Sequence, residues 1–358
     1  MNQERLFLKK LTEIDGVSGH EKAVSQFLEK ELLTFVNQND VSFDGLGSIV
    51  AKKVGDANGP KIMISGHMDE IGMIVTKITD EGFIRFQTIG GWWSQVMLAQ
   101  QYVITTGKGK RIFAVMGSKP PHLLTSDDFK KPANIDEMFL DIGVDNKEEV
   151  EKLGIEIGDM IAPNIAFREL ANPQYLLGKA WDNRIGCAVV VETLRRLKKE
   201  NHPNIVYGVG SVQEEVGLRG AKTAAQMINP DLCFALDVGI AKDTPGTDMS
   251  VKMGKGPAIL VYDSALIGHV DLRNFVIQVA KEENIPYQLD YLKRGGTDAG
   301  TAHLVHSGVP SMSLCIPTRY IHSHTSILHY DDYENAIRLL VAVIKKLDHQ
   351  TVKDITFA

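Results

Sequence analysis

The apolar stretch KIMISG runs straight into His67, and Asp69 follows two positions later, within KIMISGHMDEIG (61–72). Four more segments carry side chains of the same kind: Asp182 in WDNRIG, the adjacent Glu214 and Glu215 in VQEEVG, Asp237 in ALDVG and His322 in TRYIHS. Imidazole and carboxylate together suit a borderline divalent cation such as zinc or cobalt. The number of ligands implies a pair of ions. One ion with an open position takes about three protein ligands, and paired ions roughly 3.5–4 Å apart share a bridging carboxylate and a water. On that count Asp182 bridges, His67 and Asp237 complete one ion, and Glu215 and His322 complete the other. Glu214 is left over. It is placed to act as general acid/base, taking a proton from water that the ions have acidified and later giving it to a leaving amine. Asp69 has a supporting role, since a carboxylate on the outer ring nitrogen of His67 fixes its tautomer and strengthens it as a ligand. The chemistry of such a set is metal-dependent amide hydrolysis.

Each residue alone has a plainer explanation. A histidine at a strand end is ordinarily structural, Asp182 reads as a helix N-cap, a Glu pair as a solvated turn, and ALDVG as turn chemistry. The coincidence of all of them outweighs this, and it depends on the elements around them. The segments NIVYGVGSV, LCFALDVG, PYQLDYL and SMSLCIP read as strands. Residues 184–200, GAKTAAQMI, HVDLRNFVIQVAKEEN and YENAIRLLVAVIKKLDH read as helices. Such alternation predicts an α/β fold with a central mixed sheet covered by helices. Ligands of open α/β sheets gather beyond the carboxyl ends of the strands, where His67, the Glu pair, Asp237 and His322 all fall. At the N-terminus, Leu6, Leu8, Leu11 and Ile14 mark a first helix. Ser18 and Glu21 then show capping-box spacing for a second, over about 21–35.

From 72 to 162 the texture changes to short strand-like runs, MIVTKI, FIRFQTI, YVITTG, RIFAVMG and MFLDIGV, with one short helical piece near NKEEVEKLG. This predicts a small inserted β-rich body, a compact barrel, between the two parts (1–71 and 163–358) of the α/β domain. The chain has 358 residues with formal net charge −6, which disfavours a broad nucleic-acid surface. It shows no apolar run long enough for a membrane span and no secretory signal. Cys187, Cys233 and Cys315 lie widely spaced among apolar neighbours, as expected of buried thiols in a reducing cytoplasm.

In this order, SGHMDEIG, WDNRIG, VQEEVGLRGA, LDVG, RGGTDAG and PTRYIHS resemble the dinuclear aminopeptidases that assemble as tetrahedral twelve-subunit particles. The resemblance covers nearly the whole chain and is nearest to the bacterial glutamyl aminopeptidases. It implies the same assignment: His67, Asp182, Glu215, Asp237 and His322 as metal ligands, Glu214 as catalytic acid/base, and cobalt or zinc as cofactor. It also implies an insertion that builds dimers and a homododecamer, and short peptides as substrates. TRYIHSHTSILHYDDYENA departs from many relatives, which carry Pro and an acid soon after the His-Ser pair, so the local loop differs. GSKPPHLL (117–124) matches a family segment whose His122 would reach a neighbouring subunit's site, or would be a plain loop histidine.

A preference for N-terminal Glu or Asp needs a cation in the first side-chain pocket. The candidates are Lys252, Lys255 and Arg294, each of which also reads as a solvated charge, with Gly296, Thr297 and Asp298 of RGGTDAG lining the pocket or closing their own turn. The competing readings are an amino-acid deacylase, an endoglucanase, and a silent scaffold stabilised by metal. The histidines count against a glycosidase, and retention of Glu214 counts against a scaffold.

Overall fold

Runs such as KIMISGH and LCFALDVGI have no polar face to turn to water, so they belong inside a sheet covered on both sides. A computed structural model, describing residues 2–356, shows this. The strands Ile205–Ser211, Lys61–His67, Leu232–Ile240 and Ser311–Arg319 lie side by side in that order, all parallel. Antiparallel strands extend the sheet: Ile49–Val54 and Val41–Phe43 on one side, and Ser326–His329, Tyr175–Gly178 and Arg168–Glu169 on the other. Ala258–Tyr262 also pairs with Ser311–Arg319 and carries Gln288–Tyr291 beside it.

Alternate side chains of one strand feed different layers. Ile62 and Ile64 enter the main core with Leu8, Val189, Val276 and Ile337, from the helices Gln3–Glu13, Trp181–Leu197, Val270–Glu282 and Tyr330–Lys346. Met63 points the other way, to Ala224, Ala225 and Ile228 of the helix Arg219–Ile228. The sheet is therefore sandwiched, as the alternation of the sequence predicts. Among the described residues no helix is long and apolar enough to cross a membrane.

The β-rich stretch closes into a six-stranded barrel, ordered Gly72–Ile78, Ile84–Ile89, Phe139–Asp141, Arg111–Gly117, Gln101–Thr105 and Met160–Pro163. Its own core holds Met73, Val75, Ile104, Ile112, Met116 and Leu140. The last strand is absent from the sequence expectation, because four residues ending in proline give almost no periodic signal. Ala258–Tyr262, Ser326–His329 and the closing helix His349–Ile355 are missed for the same reason of length. One expectation is corrected: Ser18 and Glu21 form no capping box. The helix Lys22–Leu32 has no side-chain cap at its start, because Ser18 turns to Asp69 and Glu21 to the amides of Gly19 and Gln213.

Barrel and sheet are tied by an ionic chain, buried at Lys179, Asp15 and Glu70 and exposed at Arg111. Lys179 Nζ lies 2.7 Å from Asp15 Oδ1 and 2.8 Å from Glu70 Oε1. Asp15 Oδ2 accepts in turn from Nε of Arg111, a barrel residue, at 2.9 Å. Lys179 is 2% exposed, so its loss leaves two buried acids short of a cation. Lys179→Met is expected to destabilise the fold by about 3 kcal/mol in urea unfolding; an unchanged midpoint would show that Arg111 and Arg184 suffice.

Candidate active site

Two glycines allow the site to assemble. A Cβ on Gly66 would lie 2.5 Å from the Gly186 carbonyl carbon, and one on Gly186 would lie 2.3 Å from Leu236 O. Only without side chains there can the helix Trp181–Leu197 press directly on the strands beneath. Its first turn is then anchored residue by residue. Trp181 Nε1 donates to Leu176 O at 3.1 Å and Asn183 Nδ2 to Leu236 O at 2.7 Å. Arg184 is buried and donates to Met68 O, Leu11 O and Ile14 O. Asp182 stands between these anchors. Its φ/ψ of −81° and 103° is not helical, and the Asp182–Asn183 peptide is cis. Helical φ/ψ begin only after Asn183, whose Oδ1 caps the helix by accepting from Gly186 N at 3.0 Å, so Asp182 is not the cap and its carboxylate lies toward His67 and His322.

The cluster forms around it. Asp182 Oδ1 lies 3.2 Å from His67 Nε2, and Asp182 Oδ2 lies 3.4 Å from His322 Nε2. Asp237 Oδ1 is 3.9 Å and Glu214 Oε2 3.8 Å from His67 Nε2, while Glu215 Oε2 is 3.8 Å from His322 Nε2. Three triads have ligand atoms close enough to share an ion: His67–Asp182–Asp237, Asp182–Glu215–His322 and His67–Glu214–Glu215. Asp237 sits inside its strand, which runs on to Ile240, rather than at its end.

Both imidazoles are aimed by their outer nitrogens. His322 Nδ1 donates to Gly91 O at 2.9 Å, and His67 Nδ1 to Asp69 O at 3.1 Å. Carbonyl oxygens only accept, so each Nδ1 carries a proton and each Nε2 is the ring atom turned to the cluster. The Asp69 carboxylate is farther from His67 Nδ1, at 3.5 Å. Its main partners are Glu214 N at 3.0 Å, Glu215 N at 3.1 Å and Ser18 Oγ at 2.6 Å. Asp69 thus supports the Glu pair as well as His67.

The cluster's electrostatics call for positive charge. Burial and the Asp182 carboxylate push Glu215 up to about 8. Burial, reinforced by neighbouring acids, holds Glu214 and Asp237 well above the usual carboxylate range. Burial alone would lower His322, yet Asp182 and Glu215 outweigh it and draw the ring up to about 10. His67 behaves alike, with Glu214, Asp182 and Asp69 prevailing over burial. For Asp182 burial works upward, but the two imidazoles hold it well below its ordinary value. Protons are thus retained where cations would serve better. Glu215 Oε1 is moreover buried with no hydrogen-bond donor among the described residues. An oxygen- and imidazole-rich set with such an orphaned acceptor fits divalent ions.

A cavity of about 350 Å³ opens from the cluster toward Val238, Ile240, Leu292, Arg294, Gly296 and Thr297. Arg294 is the one Lys or Arg lining it among the described residues. Lys252 and Lys255 are exposed in a loop elsewhere, and His122 is exposed on a single turn of the barrel. None of these three lines the cavity. Asp298 lies beneath it, accepting from Ser65 Oγ at 2.5 Å and Ser211 Oγ at 2.6 Å. Thr297 reaches Ser313 Oγ at 2.7 Å. Sequence reasoning overlooks Asn183 and Arg184, although both directly follow Asp182 in WDNRIG. It also overlooks Gly90 and Gly91, whose only signal is the doublet before two tryptophans. A Cβ at 90 would lie 3.1 Å from Glu215 Oε2, and one at 91 would lie 3.2 Å from His322 Nδ1.

Residues 47–339 match the family model described as M42 glutamyl aminopeptidase. The glutamyl aminopeptidase of Lactococcus lactis is 38% identical over 97% of this chain and 98% of its own. The lysyl aminopeptidase of Pyrococcus furiosus is 35% identical over 95% and 96%. Among solved structures, a TET aminopeptidase from a marine sediment thaumarchaeote superposes with TM-score 0.96 at 44% identity, covering 99% of this chain and 100% of that one. The Pyrococcus horikoshii TET1 peptidase, which can assemble into a tetrahedron or a large octahedral shell, gives TM-score 0.86 at 32% identity over 96% and 100%.

Both oxygens of Asp69 accept, so Asp69→Asn would turn an amide N–H toward a backbone N–H. It is expected to weaken metal affinity or turnover by about 10- to 100-fold. Metal titration and kinetics at wild-type values would remove Asp69 from the support of the site.

Proposed function

The chain belongs to the M42 glutamyl aminopeptidase family, and we propose that it releases N-terminal Glu or Asp from short peptides by metal-dependent hydrolysis. Aminopeptidase activity follows from the family; the metal chemistry, the residue roles and the preference are our reading. The observation that carries it is Asp182, with one carboxylate oxygen toward each histidine.

In this reading His67, Asp182 and Asp237 hold one divalent ion, and Asp182, Glu215 and His322 hold the other. Such a pair, zinc or cobalt, would supply an acidified water and polarise the scissile carbonyl. Glu214 accepts the proton of the attacking water and returns it to the leaving amine. Asp69 keeps Glu214 and Glu215 in their separate roles through their backbone amides. The carboxylates around the cluster bind the free ammonium of the substrate, so internal peptide bonds are not cleaved. The cavity is at the small end of ligand pockets, which suits a single residue, and Arg294 at its wall pairs with an acidic side chain.

Assembly is part of the same proposal: a homo-oligomer of the tetrahedral dodecamer type, with the barrel (72–162) as the contact-forming body. Phe113 and Val115 on the outer face of a barrel strand are 63% and 48% exposed, which supports a partner there. The three cysteines are free and buried, in keeping with a cytoplasmic location.

The test is an assay of the metal-stripped protein on Glu-, Asp-, Leu- and Lys-p-nitroanilide, with and without cobalt or zinc, and with N-acetylated Glu-anilide as control. Restored release from Glu and Asp, with the acetylated control inert, is expected. Glu214→Gln is expected to keep both metals and lose nearly all turnover; loss of metal would make Glu214 a ligand, as the third triad permits. Arg294→Ala is expected to lower kcat/KM about tenfold on Glu-anilide and to leave Leu-anilide unaffected. Equal losses on both substrates would discard Arg294 as the selector.

A further inference from the structure

The turn GVSGHE (16–21) does not line the cavity, yet it grips the site at three points. Gly16 O accepts from Glu70 N at 3.0 Å, and Gly16 N donates to Glu70 Oε1 at 3.1 Å. Ser18 Oγ donates to Asp69 Oδ2 at 2.6 Å. Glu21 Oε1 accepts from Gly19 N at 2.8 Å and from Gln213 N at 2.9 Å. Glu21 is only 5% exposed, so its carboxylate is committed to these donors rather than solvated.

The contact with Gln213 matters because of that residue's backbone. Its φ is +55°, in the left-handed region that a residue with a Cβ occupies only when its surroundings hold it there. Glu214 and Glu215 follow directly. Three successive amides therefore point into carboxylates from two other segments: 213 into Glu21, and 214 and 215 into the two oxygens of Asp69. The far side of the turn is tied through its carbonyls, Gln213 O accepting from Arg219 N at 3.2 Å and Glu214 O from Gly217 N at 2.9 Å and Leu218 N at 2.8 Å. The near side is tied through the amides, and Glu21 is the acceptor on the amide of Gln213. Loss of that acceptor releases the near side of a residue held at positive φ directly before Glu214.

We propose that Glu21 is a positioning residue for the hydrolytic reaction: by holding the amide of Gln213 it fixes where the Glu214 carboxylate stands. The proposal rests on the role given to Glu214 above. It requires an acceptor oxygen at this point and no particular charge, which sets the test. Glu21→Ala, Glu21→Asp and Glu21→Gln are compared with wild type and Glu214→Gln for kcat, KM, metal content after dialysis and thermal unfolding. Alanine has no acceptor and aspartate is one methylene short. Both are expected to lose about 10- to 100-fold in kcat, with KM and metal content little changed. Glutamine keeps the oxygen and is expected to recover most of the rate. Wild-type kcat in Glu21→Ala overturns the proposal. So does a loss in which rate, metal and thermal stability fall together and glutamine rescues none of them. If the alanine variant does not fold, the contrast between aspartate and glutamine decides. An active Glu214→Gln would sink the role of Glu214 itself, whereas an inactive one beside a fully active Glu21→Ala would sink Glu21 alone.

Discussion

Six carboxyl groups crowd one edge of the central sheet, and the surrounding structure is arranged to answer their charge. They divide by how fully the protein satisfies them. Asp69 accepts from two backbone amides and a hydroxyl. Asp298 accepts from two hydroxyls. Asp69 is thus compensated at both oxygens and acts as a support, whereas Asp298 is compensated at Oδ2 alone, its Oδ1 being buried without a donor among the described residues. Asp182, Glu214, Glu215 and Asp237 look instead toward imidazoles and toward one another, with the Val238 amide as the sole neutral donor among the described residues, on Asp237. A group left with so little compensation in a buried place either keeps a proton or meets a cation. The distribution of neutral donors thus sets Asp69 apart from the proposed metal ligands Asp182, Glu215 and Asp237 and from the proposed acid/base Glu214, without reference to any relative.

The clustered histidines and acids are more legible in the sequence than the residues that hold them, and the reason is one of distance along the chain. His67, Glu214, Glu215 and Asp237 sit on or just after apolar strands, so a local pattern marks each of them. Ser18 and Glu21 carry an equally local pattern that misleads. Their spacing suits a helix cap, but their partners are 51 and 192 positions away, where no periodicity reaches. Asp298 is misjudged similarly: it sits beside a glycine turn that suggests a pocket wall, whereas Ser65 and Ser211 claim it from below. Lys252 and Lys255 read as pocket cations, yet both are exposed in a loop that does not line the cavity. A side chain's direction in a loop is set by packing that local composition does not encode.

The fold itself is legible where elements are long. The parallel strands and the helices that cover them announce themselves by apolar runs and helical spacing. The barrel is legible as a change of texture to short strands, although the four-residue strand that closes it, Met160–Pro163, is not, because its place depends on register with its neighbours. The glycines of the site follow a related logic. Gly66 and Gly186 are ordinary in composition, and their necessity appears only when helix and sheet are brought within contact.

The bond from His322 to the Gly91 carbonyl crosses from the α/β body to the inserted segment. An insertion is usually regarded as an accessory that can be trimmed or exchanged while the parent fold continues to work. Here the accessory supplies the acceptor that sets the proton on one imidazole, and its neighbour Gly90 lies against Glu215. Any lineage or designer that swaps this barrel for another must reproduce a side-chain-free loop and a carbonyl at the same spot. Divergence of the insertion is therefore tightly restricted at the place where it faces the sheet.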